Sequence, residues 1–145
     1  MRFDRKLADE EGRLEALRRY DVLDTPPEAP FDRLTELVRS VLGVPIAAVT
    51  LVDAERQWFK SIAGLNACET SLEISFCAHA IKKREPLVIS DATLDMRFAK
   101  NPLVTGDPWI RSYLGIPLET PDGYNVGALC AIDTKPRTFP RMKLP

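Results

Sequence analysis

The chain has 145 residues, 45% of them hydrophobic and 28% charged, which is enough apolar material for one ordinary core and excludes disordered, collagen-like and low-complexity classes. Lys and Arg total 20 against 21 Asp and Glu, and a net charge of -1 supplies no broad electrostatic reason to bind nucleic acid. No apolar run approaches the roughly 18–20 residues that span a bilayer, and no signal-peptide pattern follows the basic N-terminus, so a soluble cytoplasmic protein without a membrane segment is expected.

In chain order, Lys6–Tyr20 carries Leu7, Leu14 and Leu17 with acids early and bases late, which predicts a helix with a thin apolar stripe, weakened by Gly12. A stripe that thin suits a partner surface or a domain edge better than deep burial. Asp24-Thr25-Pro26-Pro27 stops it. Phe31, Leu34, Leu37, Val38, Val41 and Leu42 then mark an amphipathic helix ended by Gly43. The β-branched run 45–52 and the segment Arg56–Ile62 predict a hairpin across Asp53-Ala54-Glu55. Leu72–Ser75 reads as a short extended piece, with Ser75 capping a helix from Phe76 to Lys83 that Pro86 ends before a strand at Leu87–Ser90.

The stretch Asp91–Asp107 mixes cap residues and breakers and predicts one or two helical turns inside a long connection. Ile110–Leu118 and Tyr124–Ile132 alternate and pair as a second antiparallel hairpin around Thr120-Pro121-Asp122-Gly123. About five strands with two or three helices give an α+β antiparallel architecture.

Several words of this chain resemble the GAF domain. They include Leu23-Asp24-Thr25-Pro26-Pro27-Glu28, Phe31-Asp32-Arg33-Leu34-Thr35, Arg56-Gln57-Trp58-Phe59-Lys60-Ser61 and Ser75-Phe76-Cys77-Ala78-His79-Ala80-Ile81. Asp91-Ala92-Thr93, Asn101-Pro102-Leu103-Val104-Thr105-Gly106 and Gly127-Ala128-Leu129-Cys130 continue the likeness. The subgroup it resembles stands at the N-terminus of bacterial sensor histidine kinases and diguanylate cyclases. The resemblance implies a PAS-like central antiparallel sheet of about six strands, helices on one face, and a ligand-pocket loop on the other. It divides the chain into an N-terminal signalling and dimerisation helix over 1–24, a GAF domain over 25–137, and a truncated linker or foreign tail over 138–145. The function it implies is regulatory, not enzymatic: a small molecule is bound and its state is relayed through terminal helices and a homodimer to a fused output domain.

Phe76, His79, Asp91, Phe98, Trp109, Arg111 and Tyr113 are the candidate ligand-binding residues. Trp109 and Tyr113 would stand at the rim of a cavity, and Arg111 between them either clamps a carboxylate or phosphate or pairs with acids near Asp91 and Asp107. His79, the one histidine, reads as a structural residue before a haem ligand. No cofactor or metal is expected, since bilin and cyclic-nucleotide GAF signatures are missing. Cys68, Cys77 and Cys130 form no close metal-binding cluster. One GAF family reduces free methionine-R-sulfoxide through a thiolate placed before the strand matching Ile110–Leu118. Because 91–115 holds no cysteine, Cys77 and Cys130 read as inert buried thiols. Glu69 with Glu73 and Asp91 with Asp95 lack the partners hydrolysis needs. A ligand-free dimerisation scaffold is the alternative.

Overall fold

The computed structural model describes residues 4–139. Asp4 caps a short helix, α1 (Arg5–Ala8), by accepting from the backbone N–H groups of Lys6 and Leu7. Asp9 ends that helix and caps the next, α2 (Glu10–Arg19), accepting from Gly12 N at 2.9 Å. The single predicted helix is therefore two. Gly12 serves this cap, because a Cβ there would lie 2.2 Å from Asp9 Oδ2 and 2.4 Å from the Tyr124 hydroxyl.

Of the predicted stripe, Leu7 and Leu14 are half-buried and Leu17 is buried deeper than so thin a stripe suggested. Ala16 and Leu17 are 0% and 1% exposed and pack on Leu51, Trp58 and Val126 of the sheet. Small Ala16 allows close approach, and burying Leu17 alone is worth about 2 kcal/mol. Arg13 goes in beside them, donating to Val52 O at 2.7 Å and to both Glu10 carboxylate oxygens.

Helix α3 (Ala29–Leu42) begins with Pro30 in its first turn and ends at Gly43, whose φ of 65° closes it with Val44 N donating to Arg39 O. Its buried centre is Thr35 rather than a leucine. Leu34, Leu37 and Val41, expected in an apolar seam, are 38%, 59% and 73% exposed.

Six strands form one sheet in the order β3-β2-β1-β6-β5-β4, with every pairing antiparallel. They are β1 (Ile46–Val52), β2 (Arg56–Ala63), β3 (Glu69–Ser71), β4 (Leu87–Ile89), β5 (Ser112–Glu119) and β6 (Asn125–Asp133). Both predicted hairpins form, and β6 joins them by pairing with β1, which is buried at all seven positions. The extended piece expected at Leu72–Ser75 is instead a 3-10 turn over Leu72–Ile74, and the strand lies just before it. The helix expected over Phe76–Lys83 contracts to α4 (Cys77–Ala80), with Ser75 Oγ accepting from Ala78 N as anticipated. The connection from Asp91 holds a 3-10 turn at Ala92–Leu94 and the one-turn α5 (Pro102–Thr105).

Two irregularities set which side chains face which layer. Val49 pairs with Ser61 and Thr50 with Phe59, so Lys60 is an extra residue in β2. Lys60 and Ser61 consequently both bond to the helix layer, while Phe59 and Ile62 line the opposite face. Leu118 pairs with Gly127 and Glu119 with Asn125, which leaves Val126 as a second bulge. Helices α2 and α3 cover one face; α4 and the 91–111 connection cover the other, over a core of Phe76, Phe98, Val104, Ile110, Tyr113 and Cys130. Phe139 packs near Val44, Leu114 and Ala131, and most of the predicted tail 138–145 lies outside the described residues.

Candidate ligand cavity and its thiol floor

On β5, Tyr113 faces inward and is fully buried. Its ring leans back over Gly115, where a Cβ would come within 2.4 Å of the hydroxyl, so glycine is the residue that admits this rotamer. That posture places the hydroxyl 3.0 Å from Cys77 Sγ at the start of α4. Cys130 of β6 lines the same cavity, and Thr50 of β1 donates from Oγ1 to Ala128 O at 3.1 Å. Burial pushes the Cys77 thiol up, but the neighbouring Cys130, Thr50 and Tyr113 groups outweigh burial and bring it below its ordinary value. The neighbouring Cys77, together with burial, pushes Cys130 well up, and burial holds the Tyr113 hydroxyl well above an ordinary phenol.

These groups floor a cavity of about 40 Å³ walled by Phe59, Ile62, Phe76 and Ile110, with Gln57 and Thr70 as further polar residues. Among the described residues, no charged side chain lines it. At roughly 10–15 Å³ per water, it has room for only a few heavy atoms. Phe76 stacks on Phe98 with centroids 4.2 Å apart and planes 15° apart, and tilts against Tyr113 at 5.2 Å.

The predicted site residues divide in two. Phe76 and Tyr113 line the cavity, Phe98 supports it from behind, and His79 meets the Phe98 ring edge-on at 4.8 Å. His79 opens instead into a second cleft of about 460 Å³ shared with Glu10, Arg13, Glu73 and Lys82. Burial, then the charges of Lys82 and Arg97, lower its pKa. Asp91, Trp109 and Arg111 are not brought to the cavity. Asp91 caps its own turn, accepting from Thr93 N at 3.0 Å and Thr93 Oγ1 at 2.6 Å. Trp109, expected at the cavity rim, has φ 61° and is 52% exposed. The Arg111 guanidinium donates to Val104 O at 2.8 Å and Ile110 O at 3.0 Å, so it braces the connection rather than clamping an anion or pairing with acids.

Several of the words singled out in the sequence bond to one another. Arg56 forks onto Asp24 at 2.9 and 2.7 Å. Lys60 Nζ donates to Thr25 Oγ1 at 2.7 Å and Pro26 O at 2.8 Å. Ser61 donates to Asp32 at 2.6 Å and contacts Thr35 at 3.0 Å. They moor the loop before α3 to β2. Cys130 and Gln57 were missed as cavity residues. The alternation of β6 places Cys130 with Ala128 and Ile132, which was a usable signal; the meeting of Cys77 with Tyr113 had none. Among the described residues, no group of three or more His, Cys, Asp or Glu is placed to hold a metal ion, and no helix is long and apolar enough to cross a membrane.

The family model described as GAF domain matches residues 26–144. A cyclic di-GMP phosphodiesterase of Pseudomonas aeruginosa is 40% identical over 129 residues, covering 89% of this chain and 22% of its own length. The chain thus spans about a fifth of that relative. Among solved structures, the GAF domain of a phosphoenolpyruvate-protein phosphotransferase from Coxiella burnetii superposes with a TM-score of 0.64 at 16% identity, covering 92% of this chain and 83% of that one. A free methionine-R-sulfoxide reductase from Neisseria meningitidis, solved with its substrate, gives 0.63 at 18% identity over 97% and 81%.

Proposed function

The chain belongs to the GAF domain family, and from that premise we propose that it is the regulatory domain of a larger cytoplasmic signalling protein, binding a small molecule and relaying its state to a fused output domain. The observation carrying this reading is the cavity under α4, closed by the 91–111 connection and free of charged lining. Its ligand is uncharged and only a few heavy atoms in size. A nucleotide would require the connection to open, and an anion would find no cation there. The named activity of the Pseudomonas relative favours an output in cyclic di-GMP turnover over a histidine kinase. Reduction of methionine sulfoxide gains no support, since 91–115 contains no thiol. Binding shifts output only if it favours one arrangement of the cavity wall over another.

The test is xenon under pressure, followed by NMR. We expect perturbation at Ile62, Phe76 and Tyr113. Perturbation confined to the 190 Å³ apolar groove between α3 and the sheet, lined by Leu37, Val41 and Ile116, would favour the ligand-free scaffold.

Dimerisation is part of the proposal, on a different surface from the one the sequence indicated. The apolar face of α2 is occupied by the sheet, whereas Leu34, Leu37 and Val41 repeat at i, i+3 and i+7 on the exposed side of α3. A twofold axis at Leu37 sets Leu34 against Val41 of a second copy. Leu37→Asp should leave circular dichroism unchanged while shifting light scattering from dimer to monomer, with the melting transition lowered and no longer dependent on concentration. An unshifted mass rejects this surface.

A further inference from the structure

Cys77 and Cys130 come from different layers, α4 and β6, yet both are 2% exposed and both line the same cavity. The cavity they share is about 40 Å³, and the Tyr113 hydroxyl engages Cys77 at 3.0 Å, which favours the thiolate at Cys77 over that at Cys130. A neutral, uncharged cavity of this size admits hydrogen peroxide, with its two heavy atoms, more readily than any anionic oxidant. Low-lying thiolate character beside a second thiol is the arrangement that favours sulfenic acid formation and its resolution.

We propose that Cys77 and Cys130 are a paired redox site: a hydroperoxide entering the cavity oxidises Cys77, and Cys130 resolves the product as an intramolecular disulfide. In the first step, Cys77 sulfur attacks one peroxide oxygen. The O–O bond breaks, an S–O bond forms, and the thiol proton leaves with the second oxygen as alcohol or, from hydrogen peroxide, water. In the second step, Cys130 sulfur attacks the sulfenic sulfur. The S–S bond forms, the S–O bond breaks, and hydroxide takes the Cys130 proton to leave as water. Two thiols lose two electrons and one peroxide gains them. The bridge ties α4 to the middle of the sheet and removes the Cys77 partner of Tyr113, so the cavity floor itself changes shape. The site shares the cavity of the reading above, but it needs only passage for a molecule as small as peroxide and no resident ligand.

The experiment treats the whole chain carrying Cys68→Ser, which removes the exposed thiol, with hydrogen peroxide; denaturing alkylation and peptide mass spectrometry follow. The expected result is a Cys77–Cys130 disulfide peptide, loss of both alkylatable thiols, and recovery of both with dithiothreitol. Adding Cys130→Ser should abolish the disulfide and yield a dimedone adduct on Cys77. The unsubstituted chain, mapped in parallel, should give the same linkage whether or not the variants fold. Full alkylation of both thiols after a peroxide dose that couples them in the denatured chain overturns the proposal, as does a Cys77 adduct without disulfide when Cys130 is present. Xenon perturbation at Ile62 with inert thiols would remove this site and leave the sensory reading standing; disulfide formation without xenon perturbation would do the reverse.

Discussion

Gly127→Ala should lower the stability of this chain by about 3 kcal/mol, a large loss for so small a change. A Cβ at this position would lie 1.9 Å from Thr50 O and 3.0 Å from Leu51 Cα. Both are backbone atoms of the central strand, so no side chain can swing aside to make room. Gly127 pairs with Leu51 on one side and Leu118 on the other, next to the Val126 bulge, so relief would require β6 to move from β1 or β5 where the two hairpins join. Gly43→Ala is the natural control. Nothing lies within 4 Å of its Cβ, and only its φ of 65° resists substitution, at about 1 kcal/mol. Urea unfolding of the two variants measures the difference. Equal losses would show that β1 and β6 do not approach this closely at Gly127.

Lys60→Met should cost about 2 kcal/mol, with the damage concentrated in residues 21–28. The Lys60 side chain is 1% exposed and its ammonium satisfies Thr25 Oγ1, Pro26 O and the Glu28 carboxylate together. Methionine fills most of the volume and supplies none of the bonds. Glu28 is 57% exposed and returns to water, which is why the loss stays below that of stranding a buried charge. Hydrogen exchange should quicken in the loop before α3 while β1 and β6 remain protected. Uniform protection across the chain would contradict the mooring role assigned to Lys60.

The sheet was largely legible in the sequence because its four long strands either alternate or run apolar and β-branched, and the connection between them carries its turn residues openly. Strand β3 escaped notice because Glu69-Thr70-Ser71 is polar and three residues long; its extended state comes from pairing with Arg56–Trp58, a tertiary cause. The break at Asp9 was hidden by the cap residue lying within a continuous helical pattern. Cavity residues were recovered where they belonged to a strand face or a hydrophobic helix, as Tyr113 and Phe76 do. Trp109 and Arg111 were misplaced because a positive φ and two carbonyl acceptors decide where their side chains go, and neither has a signature in residue type. The mooring bonds of Lys60 and Arg56 join segments about thirty residues apart, beyond the reach of any local pattern.

The sheet ends on both sides in strands of three residues, β3 and β4. Each leaves too short a row of free backbone donors and acceptors to template another chain, and β3 carries Glu69 as well. Chains crowded together at high concentration are thereby denied edge-to-edge growth into fibrils, and any association between copies is left to side-chain faces, where a single substitution can switch it off.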